Sequence, residues 1–118
     1  MSTLAERSCK PCEGGVAPLK PAAAQEYLAQ ISPGWALGPN AQTLRREFAF
    51  RDFYRTMSFV NALAHVANIE DHHPDLEVGY NYCRVTFTTH AIRGLSENDF
   101  VCAARLDLIP LPPAATPR

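Results

Sequence analysis

The hydrophobic and polar positions of this chain switch repeatedly between helical spacing and strict alternation. Pro21 suits the first turn of a helix, and apolar residues follow at helical spacing until Ser32–Gly34 interrupts the pattern. A short strand at Trp35–Leu37, a turn at 38–40 and an alternating strand from Leu44 to Phe50 come next. This first half therefore predicts a helix followed by a β-hairpin.

The second half predicts a long helix, another hairpin and a last helix. Asp52 is a candidate N-cap for the long helix, and Pro74 ends that helix near residues 71–73 because the residue before a proline disfavours helical angles. Two alternating runs between 76 and 88, with a change of phase near Asn81, predict two strands. The predicted apolar stripe of the long helix consists of Phe53, Met57, Val60, Ala64 and Ala67, widened by Phe59, Leu63 and Val66.

Ser96-Glu-Asn-Asp99 is a capping-box pattern, which predicts the start of the last helix. We expect its inward residues to be Phe100, Ala103, Ala104 and Leu108. The order α-β-β-α-β-β-α indicates an α+β domain with a four-stranded antiparallel sheet and three helices packed on one face. The other face would stay solvated or meet another subunit. The packed domain spans 20–109, after an extended lead-in at 1–19 and before a Pro-rich flexible tail at 110–118.

Composition and charge narrow the class of protein. Apolar residues make up 47% of the 118 positions, charged residues 19%, and the net charge is −1, so no overall positive field favours nucleic acid or an anionic membrane surface. The N-terminus has no apolar signal region, and no stretch approaches the ~20 apolar residues of a membrane span. We therefore expect a cytoplasmic protein whose cysteines are thiols.

Four cysteines invite a metal or redox interpretation. Cys9 and Cys12 form a CxxC pair, but no second such pair completes a zinc site, and the following Gly14-Gly15 favours a loop over a thioredoxin-like helix. We interpret the pair as part of a plain N-terminal loop. Cys83 and Cys102 fall within predicted elements and are expected to be small buried residues.

The candidate chemistry lies in three histidines and an acid. His72 and His73 precede Pro74, His90 ends the last strand on its polar side, and Asp99 follows in the capping box. Histidine both gives and takes protons near neutral pH. A catalytic metal would need converging ligands and an open position, which this spacing does not favour, so acid–base catalysis is the better interpretation and no metal is expected.

Structural roles are the alternative for each of these residues. His72 or His73 would interact with the helix dipole and cap terminal carbonyls, and Asp99 would only complete the capping box. Glu70 and Asp71 would orient one of the two histidines or simply solvate the helix end. His65, in the middle of the long helix, is interpreted as structural.

The spaced pattern resembles that of the pterin-4a-carbinolamine dehydratases over about residues 20–108. The matching positions are His72-His73-Pro74, Tyr80, His90 and Asp99, with further similarity at Trp35, Phe50–Phe53 and Gly94–Ser96. One position departs, because Asn68 stands where the family signature has a charged residue. The resemblance implies the same four-stranded fold, homodimers or homotetramers, and no cofactor.

The implied activity is dehydration of 4a-hydroxytetrahydropterin to quinonoid dihydropterin, which recycles tetrahydrobiopterin for an aromatic amino acid hydroxylase. The resemblance implies that His72 and His90 transfer protons, that His73 binds the pterin and assists, and that Asp99 stabilises or orients a histidine. The implied pterin contacts are His72, His73, Pro74, Thr89, His90, Ala91 and Ile92. Two alternatives are a non-catalytic protein-binding module, similar to relatives that act as dimerisation partners of a transcription factor, and a protein acting on another pterin.

Overall fold

The computed structural model describes residues 3–10 and 17–110, so Cys12 and most of the predicted tail lie outside the described residues. Seven regular elements follow the predicted order. They are α1 (Pro21–Leu28), β1 (Ala36–Leu37), β2 (Leu44–Ala49), α2 (Phe53–Glu70), β3 (Asp75–Val78), β4 (Tyr82–Phe87) and α3 (Glu97–Leu106). Short 3-10 turns at Leu4–Glu6, Pro39–Ala41 and His90–Ile92 complete the described backbone.

The four strands form one antiparallel sheet in the order β1-β2-β4-β3. Each hairpin keeps its own strands adjacent, and β2 joins β4 in the centre with Glu47 opposite Arg84. The predicted phase change near Asn81 is the turn of the second hairpin, since Val78 pairs with Cys83. The α+β prediction with an antiparallel four-stranded sheet is confirmed.

Aromatic side chains fill the space between the sheet and the helices. Phe48 and Phe50 of the β2 segment contact Phe59 of α2, at ring-centroid distances of 4.4 and 5.3 Å. Trp35 packs against Phe48 and Phe87, while its indole N–H donates to Asp107 beyond α3. The core therefore ties α2 and the end of α3 to the same face of the sheet.

The apolar face of α2 is rotated from its predicted position. Thr56, Phe59, Leu63 and Ala67 are buried, whereas Phe53 is 47% exposed and Ala64 is exposed. The buried Thr56 hydroxyl is satisfied, because it lies 2.8 Å from Asp52 O and 3.0 Å from Tyr80 O. Asp52 is the N-cap of α2, as predicted, and its carboxylate accepts from the N–H of Arg55.

Helix α3 is the most deeply buried of the three helices, with buried residues along most of its length. Its capping box is present, and Phe100 and Ala103 are fully buried, but the prediction for Leu108 is wrong, since this residue lies beyond the helix end and is 71% exposed. Residues 3–10, assigned above to an extended lead-in, include a 3-10 turn and pack along α3 with Leu4 buried. This segment therefore contributes to the core.

The face of the sheet away from the helices is polar. Arg84 bonds to Glu47 at 2.6 Å and to Glu77 at 3.1 Å, which links three strands across the open face. Cross-strand pairs of opposite charge stabilise such a surface modestly. Within residues 3–10 and 17–110, no helix combines the length and apolar character needed to cross a membrane.

Candidate active site

The end of α2 places His72. Asp71 adopts the left-handed conformation, with φ 50° and ψ 43°, and its N–H returns to the carbonyls of Ala67 and Asn68. The N–H of His72 also donates to Ala67 O at 3.1 Å, so the chain reverses tightly on leaving the helix. This reversal points the His72 ring into the core, where it stacks on Phe87 with an interplanar angle of 8°.

The buried His72 ring forms a hydrogen bond with Asp99. His72 Nε2 lies 2.7 Å from Asp99 Oδ1, and the two side chains are 6% and 0% exposed. The sequence separation of this pair is 27 residues, because His72 leaves α2 and Asp99 lies in the first turn of α3. The contact thus joins two helix ends through side chains that could carry opposite charges.

Three donors surround the Asp99 carboxylate. Its Oδ2 accepts from the Thr89 hydroxyl at 2.8 Å and from the backbone N–H of Ser96 at 2.9 Å, while Oδ1 faces His72. The hydroxyl of Ser96 lies 2.8 Å from that of Thr89 and donates to it, because the Thr89 proton is used toward Asp99. An ionised carboxylate, which only accepts, suits this set of donors.

The same logic assigns the proton on the His72 ring. When Asp99 is ionised, His72 donates through Nε2–H, and in the neutral ring Nδ1 is then the basic nitrogen. Uptake of a proton by His72 produces an imidazolium beside a carboxylate, and charge-assisted hydrogen bonds of this kind are about twice as strong as neutral ones. The contact therefore fixes the His72 ring beside the Asp99 carboxylate in a buried setting.

His73 points outward from the same turn. Its Nε2 lies 3.0 Å from Asn68 Oδ1, and both residues are exposed. Asn68 is therefore the hydrogen-bond partner of His73, at the position where the family signature has a charged residue. Pro74, which follows, is partly buried and leads into β3.

His90 lies at the start of an exposed 3-10 turn directly after Thr89. Thr89 is buried, and its N–H bonds to Gly94 O at 2.8 Å, which closes the loop that carries Ala91 and Ile92. Because Thr89 also bonds to Asp99, the loop bearing His90 is anchored to the carboxylate that holds His72. The structure therefore connects the two predicted histidine segments through Asp99.

Two acids near the histidines have other contacts. Glu70 accepts from the N–H of Cys9 at 2.9 Å and lies 3.7 Å from the guanidinium of Arg105. Asp71 forms the left-handed helix end and is exposed. His65, in the second half of α2, is also exposed. The backbone of Asp71 helps to position the two histidines that follow it.

Sequence reasoning missed two parts of this site. The Ser96 hydroxyl continues the network through Thr89, and the Phe87 ring supports the imidazole of His72. The capping-box pattern identified Ser96 as a helix start, and Phe87 lies in the alternating run that predicted the last strand. The contacts join residues distant in the chain, so no local spacing indicates them.

Other features of the molecule lie apart from this site. A hollow of about 380 Å³ against the sheet is lined by Gly34, Ala36, Leu37, Gly38, Arg45, Arg46, Glu47 and Arg84, none of which belongs to the histidine site. Burial raises the pKa of Cys83, in β4, to about 11. Across the described ranges 3–10 and 17–110, no three His, Cys, Asp or Glu side chains gather as a set of metal ligands.

Comparisons with known proteins place these features in a family context. The family profile described as "Pterin 4 alpha carbinolamine dehydratase" matches residues 17–109. A protein of Nitrosomonas eutropha, provisionally named a pterin-4-alpha-carbinolamine dehydratase, is 58% identical over 106 residues, which cover 90% of this chain and 92% of the relative. A similarly named protein of Legionella pneumophila (strain Corby) is 51% identical over 106 residues, 90% of this chain and 94% of its own.

Solved structures show the same fold. The transcriptional coactivator/pterin dehydratase of Brucella melitensis superposes with a TM-score of 0.71 at 30% identity, over 75% of this chain and 94% of that one. A pterin dehydratase-like protein described as a RuBisCO assembly factor in the alpha-carboxysome superposes with a TM-score of 0.55 at 27% identity, over 63% and 86% of the two chains. Sequence and fold agree, and the chain belongs to the pterin-4a-carbinolamine dehydratase family.

Proposed function

We propose that this protein dehydrates a 4a-hydroxytetrahydropterin to the quinonoid dihydropterin by histidine acid–base catalysis. The observation that carries the proposal is the buried 2.7 Å contact between His72 Nε2 and Asp99 Oδ1 in a chain of this family. A histidine held by a buried carboxylate is suited to reversible proton uptake. The exposed His73 and His90 extend from the two segments that this pair joins.

The reaction needs two proton transfers. The C4a–O bond breaks as the leaving hydroxyl receives a proton, N5 loses its proton, the C4a=N5 double bond forms, and water departs. General acid–base catalysis of such steps contributes typically ~10²–10⁴-fold. We propose that His72 and His90 exchange these protons with the substrate, and that His73 binds the pterin and assists.

Asp99 and Thr89 would act at different distances from the substrate. Asp99 orients the His72 ring and stabilises its protonated form through the hydrogen bond to Nε2. The Thr89 hydroxyl is already bonded to Asp99 in the core, so we propose that this side chain acts through Asp99. Pro74, Ala91 and Ile92 would then border the pterin beside the three histidines.

The product implies a reaction partner. A quinonoid dihydropterin is an oxidised cofactor that must be reduced before reuse, and an aromatic amino acid hydroxylase is the class of enzyme that forms the hydroxylated substrate. We propose a role in this recycling.

The test measures the rate at which enzymatically generated 4a-hydroxytetrahydropterin loses water. We expect the wild-type protein to accelerate the reaction and the His72→Ala and His90→Ala variants each to lose ~10²-fold or more of that acceleration. His65→Ala is the matched control, because His65 is an exposed histidine on the same helix and should leave the rate unchanged. No acceleration by folded wild-type protein would contradict the proposal.

A protein-binding role is the second candidate. Phe53 and Tyr80 form an exposed stacked pair with ring centroids 6.3 Å apart, and the neighbouring Tyr54 is exposed as well. Exposed aromatic side chains are typical of protein interfaces. Two structural relatives are described as a coactivator and an assembly factor, which fits such a use of this scaffold. Folded protein without dehydratase activity would favour this candidate.

A further inference from the structure

Two cysteine thiols from distant parts of the chain are in contact. Cys9 Sγ lies 3.4 Å from Cys102 Sγ, with Cys9 partly buried in the N-terminal segment and Cys102 1% exposed on α3. A disulfide bond is about 2.05 Å long, so the sulfurs would need to approach by roughly 1.4 Å. The separation of 93 positions makes this a long-range pair.

Backbone hydrogen bonds hold Cys9 in this position. The Cys9 N–H donates to Glu70 Oε1 at 2.9 Å, and Lys10 exchanges two hydrogen bonds with the Asn98 side chain, at 2.9 and 2.7 Å. Arg105 also donates to Arg7 O at 2.7 Å. The N-terminal segment is therefore fastened along α3 on both sides of the cysteine, and the sulfur contact does not depend on one flexible side chain.

The thiol pair lies directly behind the candidate active site. Cys102 follows Asp99 by one turn of α3, and its Sγ lies 4.0 Å from the backbone carbonyl of His72. A covalent bond at Cys102 would therefore act on the helix turn that positions Asp99 and on the chain reversal that positions His72.

We propose that Cys9 and Cys102 form a reversible disulfide that locks the N-terminal segment onto α3. The oxidant is a low-molecular-weight disulfide such as glutathione disulfide. The Cys9 thiolate attacks it, the small S–S bond breaks, and one small thiolate leaves. The Cys102 thiolate then attacks the Cys9 sulfur of the mixed disulfide and expels the second thiolate. Two protein thiols lose two protons and two electrons, and the oxidant becomes two thiols.

The order of these steps follows from the surroundings of each sulfur. The hydrogen bond with Cys9 and burial raise the pKa of Cys102, so its thiolate is scarce and shielded from bulk oxidant. Cys9 is the more accessible thiol and reacts first. Cys12 competes with Cys102 for the Cys9 sulfur, because Cys12 lies only three positions along the chain. A Cys9–Cys12 disulfide would close only the short CxxC loop.

Oxidation of the full-length protein tests the proposal. After treatment with excess glutathione disulfide, peptide mapping without reduction should identify a Cys9–Cys102 crosslink with a mass loss of 2 Da. Closing so long a loop should raise Tm by roughly 5 °C or more, and dithiothreitol should reverse both changes. Because the readouts are mass and Tm, they are independent of dehydratase activity.

Variants make the result specific. The crosslink should persist in Cys12→Ser and Cys83→Ala and disappear in Cys9→Ser. We expect Cys9→Ser to fold, because Cys9 is only partly buried. Cys83 should stay reduced throughout, since it is buried in β4. Oxidation of the wild type to a Cys9–Cys12 disulfide, or absence of the Cys9–Cys102 link in oxidised Cys12→Ser, would overturn the proposal.

Discussion

At the scale of single residues, the Asp99 carboxylate both caps a helix and holds a histidine. Asp99 caps α3 through the Ser96 N–H and holds His72 through Oδ1. Because the cap fixes the carboxylate to the helix backbone, the position of His72 is defined by α3 as well as by α2. Capping of α3 and the hydrogen bond to His72 are therefore compatible in one side chain.

The Asp99→Asn substitution should show whether catalysis depends on the charge of this side chain or only on its shape. The amide keeps the size and one acceptor oxygen but cannot stabilise a protonated His72, so we expect kcat to fall on the order of 10²-fold with a smaller change in KM. Asp52→Asn is the matched control, because Asp52 is also an aspartate that caps a helix start, as the N-cap of α2, and its kcat should match the wild type. Steady-state kinetics below the Tm of both variants gives the comparison, and an unchanged kcat in Asp99→Asn would exclude this role.

Asn68 offers a test of the departure from the family signature. Its Oδ1 accepts from the exposed His73, and an isosteric carboxylate would make that hydrogen bond charge-assisted. We expect Asn68→Asp to raise kcat/KM on the order of 5-fold, which corresponds to ~1 kcal/mol. Asn61→Asp, another exposed position on α2, controls for added charge. A decrease in kcat/KM in Asn68→Asp but not in Asn61→Asp would indicate that activity requires the neutral amide at position 68.

Prediction from sequence named the histidines and Asp99 of the candidate site but not the contacts between them. The capping-box pattern identified Ser96 and Asp99, and the spacing of His72, His73 and His90 indicated acid–base chemistry. The Thr89–Ser96 hydroxyl pair and the inward turn of His72 depend on how three segments pack together. Local patterns carry no information on such long-range side-chain pairs.

At the scale of elements, the end of α2 controls the two adjacent histidines. Pro74 predicted a helix end near residues 71–73, and the helix ends at Glu70. The left-handed Asp71 was not predicted, because this conformation is usually marked by glycine or asparagine. The apolar face of α2 was predicted from hydrophobicity, which favoured Phe53. The structure instead buries Thr56, whose hydroxyl is satisfied by Asp52 O.

Substitutions at Asp71 should test this reversal. Asp71→Gly removes the steric cost of a positive φ and should maintain or raise stability, whereas the β-branched Asp71→Val should lower it by about 1–2 kcal/mol. We expect Asp71→Val also to reduce kcat/KM, because His72 and His73 come directly after this turn and are positioned by it. Urea unfolding and kinetics on the two variants provide the measurement. Equal stability of the two would rule out strain at this residue.

At the scale of the whole molecule, the helices cover one face of the sheet and the N-terminal segment covers α3. The two hairpins and their antiparallel pairing could be predicted from periodicity, because alternating runs joined by short turns form hairpins. The central pairing of β2 with β4 was not predicted, because it joins strands from different hairpins. The packing of residues 3–10 could not, because this segment has too few apolar positions to show a period. Leu4 is its main apolar anchor, at 3% exposure.

Leu4→Ala measures how much this anchor contributes. Removing a buried leucine side chain should cost about 2–3 kcal/mol and lower Tm by roughly 10 °C. Leu108→Ala is the matched control, because this leucine is exposed and its loss should change stability by less than about 0.5 kcal/mol. Both variants should keep wild-type kcat well below their transitions, since neither residue contacts the histidines. A Leu4→Ala variant as stable as the wild type would mean that the segment is not docked in solution, and the Cys9–Cys102 crosslink would then lose its structural basis.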